Sequence, residues 1–162
     1  MNQNERIEKI EEYGRGFDLL AAALAKIPPE AWDFRPAPGE WSIHEVILHM
    51  ADSESIGALR LRKMIAEPGS TLMTYDEAKW AVALNYGNQS MEDALQIFKL
   101  TREMNYRLLK TLPNQVFMQS AVHPEYVEPY TFENWLATYT RHVSEHLGQL
   151  EKIYRARKKQ NK

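Results

Sequence analysis

Apolar residues recur at three- and four-residue steps along four long stretches of the chain. That spacing puts them on one face of a helix. In the first stretch, from about Glu5 to Lys26, the stripe is Ile7, Ile10, Phe17, Leu20 and Leu24, and Pro28-Pro29 stops it. The second opens at Ser42, which makes a capping box with Glu45 three positions on, behind Trp41 as a staple residue. Its stripe runs Ile43, Val46, Ile47, Met50, Ile56, Leu59 and Ile65 before Pro68-Gly69 closes it. The third opens at Ser90, with Asp93 three positions later, and carries Met91, Leu95, Phe98, Met104, Leu108 and Leu109 as far as Pro113. The last runs from about Thr131 to Arg157, with Trp135, Leu136, Tyr139, Val143, Leu147, Leu150, Ile153 and Tyr154 on its apolar face. A shorter helical piece is expected from about Tyr75 to Leu84. No stretch alternates as a strand would, and no segment repeats.

Four amphipathic helices in one short chain predict a single all-α domain over residues 1–162, a four-helix bundle. The connections between the first and second helices and between the third and fourth are long enough to cross over the bundle. The longer one, Asn114 to Tyr130, contains HPEYVEPY. A loop of that length in a compact domain is often functional.

Composition narrows the class of partner. A formal net charge of −2 provides no basic footprint for a phosphate backbone, so no nucleic acid is expected. The one basic cluster, Arg155, Arg157, Lys158, Lys159 and Lys162, sits where a helix C-terminus favours cations. Cysteine is absent, which removes disulfides, a cysteine nucleophile and thiolate metal sites. No uncharged apolar run approaches the roughly 20 residues of a membrane span. The polar start, Met1-Asn2-Gln3-Asn4-Glu5, leads into a charged amphipathic segment rather than a signal peptide. The expectation is a cytoplasmic protein without a membrane partner.

The candidate chemistry lies in the histidines. His142 and His146 are four apart in RHVSEHLGQLE, so they share a helix face one turn from each other and can converge on one ion. Imidazole is a common neutral ligand for divalent transition metals. Both border the apolar stripe of the last helix, and His49 stands in the same relation to Val46 and Met50 on the second. Histidines beside a core need partners. A metal would satisfy them together; a private hydrogen bond for each is the alternative. Three neutral ligands would leave coordination positions open, as in catalytic sites, and the ion would lower the pKa of an attached water or thiol. Glu45, one turn before His49, either orients that ligand or acts as a base, or serves only the capping box. Asp52 and Ser53, one turn after His49, are weaker candidates for orienting it.

Other residues carry a plainer reading beside the functional one. His123 either lines a pocket mouth or packs locally in the long connection. His44 is a first-turn residue, solvent-facing or locally bonded. Arg141 either meets an anionic substrate group or sits on the surface, and Glu145 is turned away to the surface. Tyr126 and Tyr130 are candidates for a pocket wall. There is no HExxH, no GxSxG and no phosphate-binding glycine loop, so zinc proteases of that type and serine hydrolases of the nucleophile-elbow type are not indicated.

Two segments together resemble the DinB-like superfamily, with its YfiT-like group of metal-dependent hydrolases. They are EWSIHEVILHMADSE, Glu40 to Glu54, and HPEYVEPYTFENWLATYTRHVSEHLGQLEKIYR, His123 to Arg155. The resemblance covers nearly the whole chain. It implies a four-helix bundle with an unusual connection order, often dimeric, and a metal held by one histidine of the second helix and two of the last. Those positions match His49, His142 and His146. It further implies nickel or zinc as the ion and a small-molecule substrate. The reaction is either hydrolysis or transfer involving a low-molecular-weight thiol. A metal-binding, stress-associated protein without catalysis is the competing reading, and a bundle with unmetallated histidines is the third.

Overall fold

The computed structural model describes residues 1–160, so Lys162 of the basic cluster lies outside the described residues. Among the described residues, six α-helices account for most of the structure: α1 Gln3–Gly14, α2 Gly16–Leu24, α3 Ile43–Ala66, α4 Glu77–Ala83, α5 Met91–Thr111 and α6 Phe132–Gln160. Four rods make the bundle. They are α1 with α2, α3, α5 and α6.

The helix starts follow the capping chemistry. The Ser42 side chain accepts from the Glu45 backbone N–H, and the Glu45 carboxylate accepts from the Ser42 N–H, so the box at the head of α3 is complete. Ser90 likewise accepts from the Asp93 N–H and Asp76 from the Lys79 N–H, at the starts of α5 and α4. The basic residues Arg157, Lys158 and Lys159 lie in the last turn of α6, where the helix dipole favours them.

Two expectations need correction. The first helix, expected as one piece from Glu5 to Lys26, is broken at Arg15. Gly14 and Gly16 flank the break because α5 approaches there too closely for a side chain. A Cβ at Gly14 would stand 2.7 Å from the Tyr106 ring, and one at Gly16 would overlap the Arg102 guanidinium. The long connection also contains a strand pair where no strand was expected. Ser120–Ala121 (β1) pairs antiparallel with Tyr130–Thr131 (β2), and Thr71 bridges to Val122. Two residues per strand are too few to leave an alternating pattern in the sequence.

The close helix pairs are α3 with α5, α3 with α6, and the first rod with α5 and α6. In chain order, the connection from α2 to α3 and the one from α5 to α6 therefore each cross the diagonal of the bundle. That is why both are long. The core has two apolar parts. One surrounds Leu20, Ile43, Ile47, Met50 and Phe98; the other surrounds Trp135, Phe132, Leu61 and Met64. Between the rods runs a buried polar seam. Arg102 and Glu54, each about 1% exposed, form an ion pair at 2.5 Å, and Glu54 also accepts from the Tyr13 hydroxyl. Among the described residues, no helix is long and apolar enough to cross a membrane.

Candidate metal centre

The pairing of α3 with α6 brings His49 to His142 and His146 across 93 positions of sequence. Nε2 of His142 stands 3.1 Å from Nε2 of His49 and 3.0 Å from Nε2 of His146. The capping box sets where α3 begins and so aims His49, seven positions on, inward; its residue is only 1% exposed. Gln149, one turn after His146, accepts from Nδ1 of His146 at 2.7 Å. That bond leaves the lone pair of His146 on Nε2, facing the other two rings.

Burial keeps all three imidazoles neutral. It pulls the pKa of His142 down to about 2 and that of His49 to about 3, with the neighbouring His146 adding to both shifts. The pKa of His146 is lowered for the same principal reason. At neutral pH each ring is therefore uncharged and offers one nitrogen lone pair.

Such an arrangement fits a cation. Nε2 of His142 lies within hydrogen-bond distance of both other Nε2 atoms, yet a neutral imidazole nitrogen offers either one N–H or one lone pair, so hydrogen bonds alone satisfy the cluster poorly. Bonds of about 2.0–2.1 Å to a divalent ion place neighbouring ligand nitrogens about 2.9–3.3 Å apart, and the observed separations fall in that interval. The three residues form a group whose ligand atoms all lie within 4.8 Å of one another.

Glu45 lies on the other side of its helix chemistry. Its Oε2 accepts from the Ser42 N–H at 2.9 Å and its Oε1 from Arg35 at 2.6 Å. Both oxygens are thus engaged by the cap and by the loop before α3. The carboxylate that does face the histidines is Glu77, in the first turn of α4, with Oε2 3.6 Å from Nε2 of His49. Sequence reasoning missed it, because its position depends on how the segment after Pro68-Gly69 folds back. The only signal was an acidic residue beside a short helix start.

The remaining candidates separate cleanly. Asp52 accepts from the Tyr86 hydroxyl. His44 bonds Asp33 and the Gln89 carbonyl and ties two loops together. Arg141 pairs with Glu145 on the surface, at 3.1 Å. His123 is buried among Tyr126 and Tyr130 and accepts from the Glu125 N–H. Beside His142 opens a cavity of about 390 Å³, lined by Ser53, Arg60, Tyr75, Glu77, Glu125 and Tyr139 among others.

The family model of the DinB superfamily matches residues 12–150. A protein of Bacillus subtilis named "putative metal-dependent hydrolase YfiT" is 26% identical over 117 residues, which are 72% of this chain and 66% of that protein. A relative of the same description from Oceanobacillus iheyensis is 28% identical over 150 residues, 93% of this chain and 84% of its own. In three dimensions the chain is similar to the solved structure of Bacillus subtilis YfiT, reported to have "an unusual four-helix bundle topology". The TM-score is 0.86 at 22% identity, over 96% of this chain and 89% of that one.

Proposed function

From the premise that this chain belongs to the DinB superfamily, we propose that it is a metal-dependent enzyme. Its ligands are His49, His142 and His146, and it activates a small nucleophile, water or a low-molecular-weight thiol, against a small-molecule substrate. The observation that supports the reading most is the convergence of three neutral Nε2 atoms beside a cavity. Relatives named metal-dependent hydrolases point the same way. Zinc or nickel suits three imidazoles. When bound, the ion lowers the pKa of a water or thiol held next to it.

The chain's own groups divide the work. His49, His142 and His146 hold the ion. Gln149 sets the tautomer of His146. Glu77, largely exposed but with one carboxylate oxygen near the histidine cluster, takes the proton that the nucleophile gives up. Glu45 shapes the site at one remove, by locking the start of α3 and hence the phase of His49.

A purely metal-storing or structural role would call for a site closed by a fourth protein ligand. The cavity next to His142 favours the catalytic reading instead. Elemental analysis of protein purified without added metal, alongside His146→Ala, tests the site. About one zinc or nickel per chain in the parent and its loss in the variant are expected. A parent that stays metal-free after incubation with either ion would refute it. Parallel screens with an ester series and with a thiol plus an electrophile then distinguish hydrolysis from thiol transfer.

A further inference from the structure

The cavity beside His142 contains one cation, Arg60, and the way it is held is informative. Arg60 lies on α3, half-buried, and its guanidinium is fixed on neutral acceptors. Nε and Nη2 donate to the Met73 carbonyl at 3.0 and 2.8 Å, and Nη1 donates to the Tyr139 hydroxyl at 3.3 Å. Among the described residues, Arg60 forms no ion pair. Arg6, Arg15, Arg62 and Arg157 form none either, but Arg60 is the arginine that lines this cavity.

The bonds orient the guanidinium without neutralising it. Its remaining N–H groups, on Nη1 and Nη2, are left for the cavity that Arg60 lines. Tyr139 precedes His142 by three positions and so shares its face of α6. The guanidinium held by Tyr139 therefore lies along the same groove as the imidazoles, about one to two helical turns away. A planar, pre-oriented guanidinium is matched to a carboxylate, which it can meet with two parallel N–H bonds.

We propose that Arg60 is the substrate-recognition residue of the site. It would bind a carboxylate at one end of a small molecule whose other end reaches the histidine cluster. The proposal deepens the function proposed above and rests on that reading. The other cavity walls sharpen the class. Asp76 is engaged by its own helix cap and by Lys79 at 3.1 Å, while Glu77 and Glu125 add negative charge to the lining. A second anionic group would meet these carboxylates, so the substrate is a monocarboxylate whose remainder is neutral or carries an amine.

Cobalt-loaded protein provides a test that does not need turnover. ω-Mercaptocarboxylic acids of increasing chain length are titrated against their ω-mercapto amides, and binding is read from the thiolate-to-cobalt absorption band. At the chain length that spans the groove, the acid binds about ten- to a hundredfold more tightly than the amide, the worth of a charge-assisted hydrogen-bond pair. Arg60→Gln abolishes the preference. Arg60→Lys, which keeps the charge and guards against a folding defect in the glutamine variant, retains part of it. Equal binding of acid and amide at every length, or a preference that survives Arg60→Gln, overturns the role of Arg60 and leaves the metal site standing. Cobalt binding with no thiol band for either series overturns the open-site reading and this inference with it.

Discussion

Acidifying the metal-free protein from pH 7.5 to 5 should cost it a large part of its stability, and the histidine cluster is the reason. The ordinary imidazole pKa is about 6.5, and burial lowers it to about 3 at His49 and about 2 at His142. A depressed folded-state value means that the unfolded chain takes up protons which the folded one refuses. The stabilising effect is therefore complete above about pH 6.5. It falls as the pH drops through 6.5 toward the folded values. At pH 5 the unfolded form of each of these two histidines is favoured by about 2 kcal/mol, and together they remove about 4 kcal/mol. His146 and His123, also lowered by burial, add in the same direction. For a domain with a typical total of 5–15 kcal/mol, that loss is severe. Urea unfolding with chelator present, in half-unit steps of pH, measures it. The same shifts make a second, less expected demand. Because His49 and His142 are already unprotonated in the folded protein, they should add no proton competition to metal binding measured on the folded protein from pH 7.5 to 5. Ordinary histidine sites lose affinity over this range as protons compete. Stability that does not change down to pH 5, or affinity that falls by more than about tenfold per pH unit below pH 6.5, would refute the claim that burial holds His49 and His142 neutral.

Two further outcomes follow from single bonds. Arg102→Met should destabilise the protein by about 3–5 kcal/mol in urea unfolding, since it strands a buried Glu54 and removes donors from the Tyr13 and Tyr139 carbonyls; adding Glu54→Gln should recover part of the loss, and a cost below about 1 kcal/mol would show that the seam is solvated. Gln149→Leu should weaken zinc binding about ten- to a hundredfold by freeing the tautomer of His146, with Gln149→Glu restoring it, as read by competition with a chromophoric chelator.

The legible part of the molecule was what local chemistry controls. Ser42, Ser90 and their acidic partners marked helix starts that the backbone adopts, and the stripes of α3, α5 and α6 gave the bundle. The stripes were less reliable at their edges. Leu59, Ile7 and Met104 fit the apolar period but stand about half exposed, since a stripe of that width is broader than the contact it makes. The break at Arg15 was illegible because its cause lies on another helix, in Arg102 and Tyr106.

The site divides along the same line. The i,i+4 spacing of His142 and His146 is a local property of α6, whereas the approach of His49 depends on which helices are neighbours. The sequence pattern alone left that open, and the family resemblance supplied it. Glu77 and Arg60 stood outside both kinds of signal. Each owes its place to the segment from Pro68 to Tyr75, which folds back over α3 so that the Met73 carbonyl fixes Arg60 and the start of α4 presents Glu77 to His49. Glu45 is the converse case. Its sequence position beside His49 suggested a base, but Ser42 and Arg35 take both its oxygens. A carboxylate close to His49 in sequence was thus committed to making the helix, and one distant in sequence was left free to face the histidines. In a bundle this is a natural division: the residues that begin a helix must satisfy its unpaired N–H groups, so groups free to face a ligand come from loops and helices that pack across it.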